Sequence, residues 1–118
     1  MGVIVAPMSG VPYALQSAQT TGNGDVVTPP PSFRNHTFQI KAAAGVNAGA
    51  IQIESADDPT YSGTWAQVGG GPVAVVASAE VTVNVTGVYT ALRARISTTI
   101  AGGAGPSVTV SYLGAKSY

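Results

Sequence analysis

At 118 residues the chain holds one domain, long enough to bury a core without metal or disulfide staples. Five basic residues balance five acidic ones and there is no cysteine. A basic nucleic-acid-binding surface is therefore not expected, and disulfides, thiolate metal sites and cysteine nucleophiles are excluded. So little charge also leaves little repulsion between copies, which suits either life in an assembly or an ordinary low-charge β-domain.

Residues 1–12 place Pro7, Gly10 and Pro12 among small apolar residues, poor material for a helix or a central strand. They predict an extended arm whose Val3, Ile4, Val5 and Met8 pack on this domain or on a neighbour. The apolar run stops at Pro7 and has no basic stretch before it. A secretory signal and a membrane span are not expected, and the chain is expected to be made in a host cytoplasm. Tyr13 to Thr21 predicts a first strand, and Thr21-Gly22-Asn23-Gly24-Asp25 a turn. Val26 and Val27 suit a short edge piece. Thr28-Pro29-Pro30-Pro31-Ser32 reads as a rigid extended link rather than an SH3-type ligand.

In Phe33 to Ala44, Phe38, Ile40 and Ala42 alternate with Thr37, Gln39 and Lys41. In Ala50–Ser55, Ile51 and Ile53 alternate with Gln52 and Glu54, the period of a half-buried strand. Asp57-Asp58-Pro59 stops that ladder, because Pro has no N–H and Asp bonds its own turn. Gly63 permits the return, and Trp65 opens the next strand, where it is expected to cover the end of the core. Gly69-Gly70-Gly71-Pro72 predicts another break. Val73 to Ala77 is almost continuously apolar, as in a strand buried on both sides or touching a partner. Glu80 to Thr86 alternates, with Val81, Val83 and Val85 inward. Tyr89 to Thr99 sets Leu92, Ala94 and Ile96 against Arg93 and Arg95, and Ser107 to Leu113 closes the set. About eight short strands at hairpin spacing predict an all-β, antiparallel β-sandwich, jelly-roll or Ig-like, spanning 13–118 behind the arm 1–12.

No reaction centre emerges from these elements. His36, the only histidine, has no partner motif and reads as a polar residue at a strand start. Glu54, Asp57 and Asp58 lack the alternating spacing of a calcium loop and read as turn chemistry. Arg93 and Arg95 share one sheet face. They meet either the carboxylates of Glu54 and Glu80 on adjacent strands or an acidic partner. Tyr61 and Trp65 raise a carbohydrate-binding reading, since aromatic faces stack on sugars; a core lid is the competing role of Trp65. No catalytic, metal-binding or cofactor-binding residue is assigned.

Three stretches carry a family likeness: Ile51-Gln52-Ile53-Glu54-Ser55-Ala56-Asp57-Asp58, Ser62-Gly63-Thr64-Trp65, and Leu92-Arg93-Ala94-Arg95-Ile96 with the Gly-rich loop and Ser107-Val108-Thr109-Val110. Over roughly residues 36–113 the chain resembles the small β-sandwich virion proteins of tailed bacteriophages, including head decoration (cement) proteins. The resemblance implies a non-enzymatic protein that binds the major capsid protein or another virion lattice protein. It also implies a homo-oligomer, with a trimer favoured, located in the virion on the capsid surface. The contact residues expected on this reading are Val3, Ile4, Val5 and Met8, with Val73, Val75 and Val76, and Arg93 and Arg95. The alternative is a tail or fibre module that binds carbohydrate through Tyr61 and Trp65.

Overall fold

A computed structural model describes residues 3–5, 10–103 and 105–116. Among these residues there is no helix, and nine strands run in order. They are β1 Val3–Val5, β2 Tyr13–Gln19, β3 Val26–Thr28, β4 Phe33–Ala42, β5 Val46–Ala56, β6 Ala66–Ala74, β7 Glu80–Thr86, β8 Ala91–Gly102 and β9 Val108–Lys116. One sheet has the order β1-β3-β8-β5-β6 and the other β2-β9-β4-β7.

The topology follows from one long folded hairpin. Its antiparallel pairs are β2 with β9, β3 with β8, β4 with β7, and β5 with β6, the last being its tip. Rolling that hairpin brings β9 against β4 and β8 against β5, again antiparallel. The resulting orders 2-9-4-7 and 3-8-5-6 are those of a jelly roll. Of the two sandwich types the alternation allows, strand order therefore selects the jelly roll over the Ig type.

The core lies between the sheets and is built by period-two alternation. Ile51, Ile53, Leu92, Ala94 and Ile96 face it from one sheet, and Phe38, Ile40, Val83, Val85, Val108, Val110 and Tyr112 from the other. Gly114 sits opposite His36 on β4, and a Cβ there would collide with the ring of Phe33 and the Tyr112 hydroxyl. That glycine is set by packing, because two aromatic side chains occupy the space a side chain would need. Gln16 on β2 is buried and donates from Nε2 to the carbonyl of Ala94 at 2.9 Å and of Gly22 at 3.1 Å. It ties one sheet to the other through the turn the Gly-Asn-Gly run encodes.

One expectation needs correction: Gly69-Gly70-Gly71-Pro72 does not end a strand but lies inside β6. Ile51 pairs with Val73 and Ile53 with Val68, so Gln52 alone faces residues 69–72. The excess chain is a large bulge, and all three glycines take positive φ (78°, 89° and 117°). β6 is an edge strand, which is where a proline and a bulge are tolerated. In the N-terminal arm, Val3, Ile4 and Val5 are extended and pack on this domain, pairing in parallel with Val26, Val27 and Thr28. Ile4 packs on the core, whereas Val3 is exposed.

Replacing Gly114 with Val is expected to destabilise the fold by about 1–3 kcal/mol through overpacking against Phe33 and Tyr112. A lowered urea midpoint at unchanged slope is the readout.

Candidate functional site

The densest polar cluster lies on the outer face of the five-stranded sheet. The ladder pairs Glu54 with Arg93 and Gln52 with Arg95, so alternation puts all four side chains on the face opposite Ile51 and Ile53. Arg93 Nε donates to Glu54 Oε1 at 2.8 Å, and Arg95 Nε to Oε2 at 3.0 Å. Gln52 Nε2 adds a third bond to Oε2 at 2.6 Å. The Glu54 side chain is only 3% exposed and that of Arg93 9%, while Arg95 keeps 34% of its surface. One carboxylate thus serves two guanidinium groups, and the cluster carries one net positive charge.

Trp65 covers this cluster. The Arg93 guanidinium carbon lies 4.2 Å from the indole centroid, a cation–π contact. The indole N–H donates to the Tyr61 carbonyl at 2.9 Å. Trp65 packs with Val26 and Ala91 in a cluster of its own. Because Val27 and Leu92 face the main core, Val26 and Ala91 point the other way. Trp65 is therefore buried, but on the outer face of the sheet and not at the end of the core. The loop from Ala56 to Ala66 folds back over that face with Trp65 as its clamp.

This placement removes the sugar platform. Tyr61 is about half exposed, but Trp65 is 3% exposed with Arg93 on its ring, so the two do not offer a pair of open faces. Beside them is a hollow of about 420 Å³ lined by Ser55, Asp57, Asp58, Tyr61 and Thr64. Asp58 Oδ1 accepts from the Thr60 N–H and from the Thr60 hydroxyl, each at 2.8 Å. Those bonds, the backbone one foremost, hold the Asp58 carboxyl below its ordinary pKa. The acidic run is a side-chain-closed turn, and no three potential metal ligands gather among the described residues.

His36 lies near the start of β4, and its side chain is buried between the sheets. Nε2 lies 2.8 Å from the Gly87 carbonyl, which can only accept, so Nε2 carries the proton. Nδ1 then accepts from the Tyr112 hydroxyl at 2.6 Å. Burial lowers the His36 pKa below its ordinary 6.5, partly offset by the bond to Gly87, and burial raises that of the Tyr112 phenol.

The remaining expected contact residues scatter. Val3 and Val76 are exposed, Val73 is half-buried, and Val75 is buried in the core. The Val5 side chain and Met8 lie outside the described residues. Arg93 is occupied by Glu54 and Trp65, so of the two expected arginines Arg95 is the one with open surface. Glu80 belongs to the other sheet, where it pairs with Lys41 at 3.4 Å instead of with an arginine. Exposed Val88 was not singled out by sequence, since a lone valine after a glycine turn carries no pattern.

No family model and no curated protein matches the chain. Its fold is similar to that in the crystal structure of the SPBc2 prophage-derived protein YomS, with a TM-score of 0.61. The two are 14% identical, and the likeness covers 88% of this chain and 90% of that one. The chain is thus similar to YomS along nearly its whole length, in fold.

Glu54→Gln leaves two close guanidinium groups without a carboxylate, one of them buried, and is expected to cost about 3–5 kcal/mol. Arg95→Gln removes a partly exposed partner and should cost under about 1 kcal/mol; paired urea melts check the contrast. His36 gives a pH signature. The unfolded chain takes up the imidazole proton below about pH 6.5, whereas the folded chain resists it. Stability is therefore expected to fall as pH drops below 6.5, and to stop falling on this account below the native pKa. Thermal melts of the wild type against His36→Gln, which should lack this component, provide the measurement.

Proposed function

We propose that this chain is a non-enzymatic structural protein of a bacteriophage virion, and within it a decoration protein that binds the major capsid protein and stabilises the head shell. The observation that carries the reading is the likeness of fold to a prophage-derived protein over nearly the full length of both chains. Two further features support it. The jelly roll recurs in viral shells. The histidine and the ion cluster are both spent internally, on Tyr112 and Gly87 and on Trp65, so neither is set out for a substrate.

The mechanism is surface burial repeated many times. Each copy, made in the host cytoplasm and bound on the capsid surface, adds a modest interface, and the number of copies supplies the hold. Val3 on the outermost strand and Val76 beyond β6 are the exposed apolar residues suited to that contact, with Arg95 as a charged neighbour.

Expression of the chain together with the head genes of its own genome, followed by sedimentation of the particles, tests the reading. The chain is expected to travel with heads. Val3→Asp and Val76→Asp are each expected to lower its occupancy several-fold while circular dichroism stays unchanged. Recovery with tails alone would make it a tail module, and absence from every particle would remove the virion role.

A further inference from the structure

The sheets end in four edges, and three of them are blunted. β1 offers only three residues. β6 carries the Gly69–Pro72 bulge. β2 is broken by two register shifts and by Ala18 at φ 51°. The fourth edge is different. β7 pairs with β4 through seven consecutive residues, from Glu80 with Lys41 to Thr86 with Asn35, without a shift. It contains no proline or glycine, and three of its seven residues are valine. Among the described residues, no backbone bond beyond the β4 ladder reaches residues 80–86, apart from the Tyr89 hydroxyl on the Thr86 carbonyl. A regular, extended edge with open N–H and C=O groups is a template for another strand.

We propose that β7 is a pairing site for β7 of a second copy, in antiparallel register about a two-fold axis at Val83. The strand's own pattern selects that occupant. Centred on Val83, the register sets Val81 against Val85 and Val83 against its copy on one face, and Thr82 against Asn84 on the other. Glu80, the only charge in the strand, meets Thr86 and never the other Glu80. Apolar meets apolar, polar meets uncharged polar, and all seven residues are matched. The four-stranded sheet then continues through the axis as eight strands. Such a contact is isologous and closes at two copies. The trimer that the phage-protein resemblance implies is not closed by this two-fold contact.

Light scattering across a concentration series tests this in the isolated protein, independently of any capsid. The wild type is expected to rise from 11.7 kDa towards twice that mass. Thr82→Lys with Asn84→Lys places two like-charged pairs directly across the axis, on side chains that are exposed in the single copy. That double variant is expected to stay at 11.7 kDa, with the wild-type circular dichroism spectrum. A wild type that remains single at about 1 mM, a trimer, or a double variant that still pairs like the wild type would overturn the proposal.

Discussion

The β5–β8 register is the constraint on which the rest of the molecule depends. These two central strands of the larger sheet present different chemistry on their two faces. Inward, Ile51 and Ile53 meet Leu92, Ala94 and Ile96 in the core. Outward, Glu54 accepts from Arg93 and Arg95. A one-residue slip of β5 would carry a carboxylate into the apolar core. A two-residue slip would keep the faces but move Glu54 off Arg93, stranding a buried guanidinium. Burial of the ion cluster need not add net stability over apolar packing. What it adds here is a penalty for each neighbouring register.

That register in turn places the loop from Ala56 to Ala66. Trp65 is seated on Arg93, which Glu54 holds, and on the small side chains of Val26 and Ala91. The indole desolvates Arg93, which raises the value of the carboxylate bond and the cost of losing it. The same ladder dictates the bulge in β6. Gln52 is held by its pairing with Arg95 and its bond to Glu54, so the extra residues of the facing strand are pushed into a loop of glycines at the sheet edge.

Much of this was legible in the sequence wherever a strand has one face in the core. The alternation in Ala50–Ser55, Glu80–Thr86 and Leu92–Ile96 placed those strands and their inward residues, and the pairing of Arg93 and Arg95 with Glu54 was among the readings offered. What was not legible is which side of a sheet a loop returns to. Trp65 looks the same in sequence whether it lids the core or clamps the outer face. Gly69-Gly70-Gly71-Pro72 signals an irregularity, but a bulge within a strand and a loop between strands use the same residues. The burial of His36 was hidden for a different reason: its partners, the Tyr112 hydroxyl and the Gly87 carbonyl, lie 76 and 51 residues away. The β1 strand was read as arm because three residues flanked by prolines and glycines carry no period.

The distribution of polar groups says more about the way of life of the molecule than any single residue does. Several charges are engaged in place: Glu54 by two arginines and Glu80 by Lys41. The outer face of the four-stranded sheet is left with threonine, asparagine and glutamine that bond one another, Thr37 to Asn84 and Thr82 to Gln39. Such a face is wetted without repelling its own kind. On the proposed reading copies stand side by side at high density, and an uncharged polar surface with a few exposed valines suits that contact.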